Sequence, residues 1–107
     1  MTATRTERRR LPNRRVNETF RFRCEPFEYV ATISRFPDDG TLAEIFISNG
    51  KAGSSSDTAA KDAAVICSIA LQHGVPLDVI RRALLRDPRG LASSPLGVAL
   101  DLTAGEP

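Results

Sequence analysis

Hydrophobic positions recur along this chain with two different periods. After Glu18, Phe20 and Phe22 alternate with Arg21 and Arg23, the two-residue period of a strand with one face buried, so Val16 to Arg23 is predicted as a first strand. Phe27 to Phe36, FEYVATISRF, predicts a longer second strand, and Pro37-Asp38-Asp39-Gly40 has turn chemistry at every position. Leu42 to Ser48 returns as a third strand, rich in β-branched and aromatic residues, and Asn49-Gly50 ends it with a turn dipeptide. So short a connection makes the second and third strands antiparallel neighbours, and a three-stranded meander is the economical arrangement.

Beyond Asn49 the period changes to that of a helix. Ser56 or Asp57 is a plausible N-cap, the run from Ala59 to Leu71 is nearly all small or aliphatic, and Gly74 stops it. Ala63, Ile66, Ile69 or Ala70, and His73 recur at helical spacing and predict the stripe that packs on the sheet. A second helix is predicted over Leu77 to Arg86, with Pro76 at its start, Leu77, Ile80 and Leu84 on its apolar face, and Arg81, Arg82 and Arg86 opposite. Those arginines read either as complements to the helix dipole or as an anion-facing surface. Ser94-Pro95-Leu96 reads as the N-cap and first turn of a short third helix through Leu102. The expected fold is α+β: a three-stranded antiparallel meander, two main helices packed on one face, and a short C-terminal helix. The expected organisation is a basic disordered tail over residues 1–17, one domain over 18–102 and a C-terminal tail over 103–107.

Charge changes the picture at the N-terminus. The net charge of +2 hides an asymmetry, since residues 1–23 carry eight Arg and two Glu whereas residues 24–107 carry seven Lys or Arg and eleven Asp or Glu. The segment MTATRTERRRLPNRR has no apolar periodicity, so it reads either as a solvated tail or as an electrostatic arm in which Arg8, Arg9, Arg10, Arg14 and Arg15 meet phosphates. No aromatic residue is interleaved with these arginines, so base stacking by the arm is not expected. No apolar run is long enough to span a bilayer, and no secretory signal is recognisable at the N-terminus; a cytoplasmic protein without membrane contact is the expectation. Cys24 and Cys67, with His73 as the single histidine, make neither a disulfide framework nor a zinc site, and Cys67 is expected to be a buried apolar residue.

The candidate chemistry sits in the loop before the first helix. Asn49, Gly50, Lys51, Gly53, Ser54, Ser55 and Ser56 bring amides, hydroxyls and one ammonium to a helix N-terminus, a place that suits a phosphate or carboxylate. The spacing is not that of a P-loop, and ordinary turn and cap chemistry accounts for the same residues. Asp38, Asp39, Asp57 and Asp62 fall where solvation and capping place acids, and no Ser/His/Asp or Cys/His arrangement can be assembled around one histidine. Autonomous catalysis, a cofactor and a bound metal are therefore not expected.

The order of several segments is similar to a known family. Tyr29-Val30-Ala31-Thr32-Ile33, Ala43-Glu44-Ile45-Phe46, Gly50-Lys51-Ala52-Gly53, Ser68-Ile69-Ala70-Leu71 and Gly74-Val75-Pro76-Leu77-Asp78-Val79-Ile80 together resemble the TSCPD domain, over about residues 20–90. That domain occurs at the C-terminal end of adenosylcobalamin-dependent ribonucleotide reductases and in short stand-alone bacterial proteins, and Ser93-Ser94-Pro95-Leu96-Gly97 looks like the latter. Reductase-linked members carry several cysteines; here one such position falls on Ser55, and Cys24 looks like a retained one. With thiolates replaced by hydroxyls, metal binding and thiol exchange lose their ligands.

Three functions follow. The first is a non-catalytic accessory or regulatory domain related to the reductase tail and to DNA synthesis, binding a nucleotide or a reductase-type protein through the Lys51 loop. The second is a nucleic-acid-associated protein using the arginine arm. The third is a ribonucleoside-diphosphate reductase component that acts with a partner chain. A homodimer is compatible with each.

Overall fold

The structure, a computed structural model, describes residues 7–105. Strands β1 (Asn17–Cys24), β2 (Phe27–Arg35) and β3 (Leu42–Ser48) form an antiparallel sheet in that order, followed by helices α1 (Ser55–Gln72), α2 (Leu77–Ala83) and α3 (Pro95–Thr103). The expected α+β meander is thus the observed one. Its register pairs Phe22 with Tyr29, Phe20 with Ala31, Ala31 with Ile47 and Ile33 with Ile45, so these residues share one face. That face is the core: Phe22, Tyr29, Ala31, Ile33, Ile45 and Ile47 are buried against Ala60, Ala64, Cys67 and Leu71 of α1 and Leu96, Ala99 and Leu100 of α3.

Two features of the helices differ from the sequence reading. The stripe of α1 that meets the sheet is Ala60, Ala64, Cys67 and Leu71, while Ile66 is 69% exposed and Val65 and Ile69 also face outward. Polar Ser68 and Gln72 share the buried side, which disguised it, because they bond to strand backbone rather than to water. The second helix ends at Ala83 rather than Arg86 and buries none of its residues completely, so α3 supplies more of the cover than α2 does. Ser94 caps α3 as expected, its side chain accepting from the Gly97 amide, with Pro95 in the first turn.

Arg81 and Arg86 are structural. Asp101, 4% exposed on α3, receives Arg86 through both terminal nitrogens at 2.8 Å and Arg81 Nε at 3.0 Å. Arg86 first, and Arg81 with it, holds the Asp101 carboxyl below its ordinary range. The reading of these two arginines as an anion-facing surface gives way to this clamp, which ties the segment after α2 to α3.

Candidate functional site

Loop and helix α1 meet through a hydrogen-bonded frame. Ser54, not Ser56 or Asp57, is the N-cap: its hydroxyl accepts from the Asp57 amide at 3.2 Å. Asp57 stands three residues after the cap and is 1% exposed, not solvated as its position in the sequence implied. Its Oδ1 accepts from the Ser48 hydroxyl and from the Asn49 amide, both at 2.9 Å, and its Oδ2 meets Lys61 Nζ at 2.8 Å. The Lys61 bond, then the Asn49 amide and the Ser48 hydroxyl, hold this carboxyl below its ordinary range. A buried carboxylate with three partners is a structural tie between β3 and α1, and it faces the inner side of the helix N-terminus.

The outer side is open. Asn49 Oδ1 accepts from the Lys51 amide and Asn49 Nδ2 donates to Ser56 Oγ, each at 2.9 Å, which closes the loop on itself. Ser54 N donates to Lys51 O at 3.0 Å, and the Gly50 amide to Ser48 Oγ at 3.1 Å. This leaves the amides of Ala52, Gly53, Ser55 and Ser56 with no acceptor among the described residues. Gly50 (φ 76°) and Gly53 (φ 82°) need the left-handed conformation, with open space where a side chain would stand. Lys51 is exposed, its Nζ 5.6 Å from the centre of the Phe27 ring. The seven loop residues singled out from sequence therefore do come together as one surface.

The arginine arm lies against the body at two points. Arg9 stacks its guanidinium 3.7 Å over Phe36, pairs with Asp38 and, at 3.0 Å, with Asp39, and donates its amide to Gln72 O at 2.8 Å. Arg15 Nε meets Glu44 Oε1 at 2.7 Å, and Glu44 is 6% exposed. Arg8 Nε donates to Gln72 Oε1. Arg10 and Arg14 are exposed. Thr41, through amide and hydroxyl, and then Arg9 draw the Asp39 carboxyl down to about 2. Sequence reasoning had no signal for these contacts, since arm and acids are separated by some thirty residues. Cys67 is buried, as expected, and burial pushes its thiol up to about 11; Cys24 is half-buried and its thiol is also raised by burial. Among the described residues no group of three or more His, Cys, Asp or Glu is placed to hold a metal ion. Among them, too, no helix is long and apolar enough to cross a membrane.

The family model described as the TSCPD domain matches residues 4–99, and the chain belongs to that family. Proteins named vitamin B12-dependent ribonucleotide reductase are similar to it: that of Streptantibioticus cattleyicolor is 35% identical over 91 residues, 82% of this chain and 15% of the relative. That of Streptomyces clavuligerus is 34% identical over 91 residues, 82% of this chain and 9% of the relative. That of Rhodopirellula baltica is 37% identical over 73 residues, 68% of this chain and 7% of the relative. The chain thus spans 15% or less of the length of these relatives. No solved structure matches it.

Proposed function

We propose that this chain is a non-catalytic accessory or regulatory domain that binds the phosphates of a nucleotide, or an anionic group of a reductase-type partner protein, through Asn49–Ser56. The observation that carries this reading is the self-tied loop: Asn49 fixes Lys51 and Ser56, Asp57 fixes Asn49, and the amides of Ala52, Gly53, Ser55 and Ser56 stay available beside an exposed Lys51. Such a frame holds donors in place before an anion arrives, so little ordering entropy is lost on binding. Family membership supports the association with ribonucleotide reduction and DNA synthesis, while any B12 chemistry is assigned by this reading to the parts of the relatives that this chain does not match. It also supports a cytoplasmic, bacterial setting.

The arm reading is weaker, because Arg9 and Arg15 already spend their guanidinium groups on Asp38, Asp39 and Glu44. A polyanion would have to displace those carboxylates. The test of the loop is calorimetric titration of nucleoside di- and triphosphates, and of inorganic tripolyphosphate, into wild type and Lys51→Ala. Lys51→Ala is expected to weaken binding while changing stability by less than about 0.5 kcal/mol, as for other surface substitutions. Absence of heat from wild type at millimolar ligand would remove the free-nucleotide form of the proposal.

A further inference from the structure

One face of the sheet is covered and the other is open. Helices α1 and α3 pack on the side of Phe22, Ala31, Ile33 and Ile45, while Val30 and Phe46 stand exposed on the opposite side. Helix α1 lies along the edge of β3, where Ser68 bonds to both backbone groups of Ile45, and Gln72 Nε2 donates to Ala43 O. Beyond that seam, Val65 and Lys61 of α1 face Val30, Thr32, Phe46 and Ser48 across a groove of about 370 Å³. Ile69, one turn on from Val65, and Ile66, three residues before Ile69, carry the same surface outward along the helix. Val30, Phe46, Val65, Ile66 and Ile69 thus form one apolar patch, each residue between 36% and 69% exposed.

Area, charge and shape together select what covers it. At these exposures the five residues show about 400 Å², the size of patch that marks an interaction site on a soluble monomer. Because an interface is roughly 57% apolar, that patch corresponds to about 700 Å² per partner, close to the roughly 800 Å² of a standard one. The charges beside it are neutralised within the chain. Lys61 meets Asp57 at 2.8 Å, Arg21, which lies across from Val30, meets Glu28 at 3.5 Å, and Arg15 meets Glu44 at 2.7 Å. A polyanion or an anionic membrane therefore finds no spare cation at the groove, whereas a surface equally apolar and equally neutral covers it without burying an unpaired charge. A second copy of the chain has that surface. A two-fold contact also requires a patch that complements itself, and here a half-exposed ring, Phe46, forms one wall of the groove it would have to fill.

We infer that this face is the interface of a two-fold homodimer, in which Phe46 of each copy enters the groove of the other and Ile66 and Ile69 extend the contact. None of the loop residues Asn49–Ser56 belongs to the patch, so the inference stands apart from the proposed function. The experiment is sedimentation equilibrium of the full chain from about 1 to 500 µM, with thermal unfolding at the same concentrations. Wild type is expected to pass from monomer to dimer within that range, and its melting temperature to rise with concentration. Ile66→Lys and Phe46→Ser should each weaken association roughly 30-fold or more, the loss of a central interface side chain, while the circular dichroism spectrum stays that of wild type. Leu85→Lys, at a position after α2 that is 79% exposed and outside the patch, should leave association unchanged. A wild type that is monomeric throughout, or a dimer that survives both patch substitutions, overturns the inference. Species larger than a dimer overturn it as well, because a two-fold contact closes on itself. A monomer that instead binds neutral phosphatidylcholine vesicles would give the face to a bilayer and refute the second copy as its occupant.

Discussion

Replacing Ser68 by alanine tests whether side chains of α1 complete the β3 edge. The hydroxyl, on a residue 5% exposed, makes two hydrogen bonds to Ile45, whose own exposure is 0%. Two ordinary hydrogen bonds contribute about 0.5–1.5 kcal/mol each, and a buried amide left without an acceptor costs about 1–3 kcal/mol, so the expected destabilisation is about 2–3 kcal/mol. For a domain of this size that lowers the melting temperature by roughly 8–20 °C. Thermal unfolding followed by circular dichroism measures the global effect, and hydrogen exchange of the Ile45 amide measures the local one. In Ser68→Ala that amide should exchange faster than its β3 neighbours relative to wild type. A melting temperature within about 2 °C of wild type, with Ile45 protection intact, would mean that the edge is satisfied in another way.

Arg15→Ala leaves the Glu44 carboxylate buried without its cation and should cost about 1–3 kcal/mol, less than a fully buried pair because Arg15 is itself 30% exposed; urea denaturation reads this, and deleting residues 1–15 should lower stability at least as much while the chain still unfolds cooperatively. At neutral pH, Cys24 should react with a maleimide in the native protein and Cys67 only on unfolding, because burial raises the Cys67 thiol to about 11; mass spectrometry of partially labelled chain distinguishes them. Acid should destabilise the fold in a defined direction. The folded-state pKa values of Asp39, Asp57 and Asp101 are depressed, so their contribution is present above the ordinary carboxylate range and is lost as pH falls through the folded values. For Asp39 that window runs from 3.8 down to about 2, and Asp39→Asn should flatten the stability curve there. Gly53→Val should cost about 1–3 kcal/mol through its positive φ alone, as nothing stands within 4 Å of the added Cβ.

Strand order, turn positions and the third helix were legible because each depends on residues next to one another in sequence. Phe20 and Phe22 alternate with arginines, Pro37 to Gly40 spell a turn, and Ser94-Pro95 starts a helix wherever it occurs. The side of α1 that packs was not legible from apolar spacing. Ile66, Ile69 and Val65 make the outward side as hydrophobic as the inward one, and the inward side carries Asp57, Ser68 and Gln72. The sequence does hold one overlooked cue, the three-residue step from Ser54 to Asp57, which is the spacing of a cap hydroxyl and the amide it accepts.

The same reason explains why the loop before α1 was legible and the seam between α1 and β3 was not. A turn of Gly, Lys and Ser before a helix announces its chemistry through residue types, so Asn49 to Ser56 could be picked out from the sequence alone. The seam carries no such sign: Ser68 and Gln72 bond to the backbone of Ile45 and Ala43, groups that every residue possesses, so only the placing of the helix against the strand brings them together. A serine and a glutamine that read as polar interruptions of an apolar helix are thus the side chains that close the edge of the sheet.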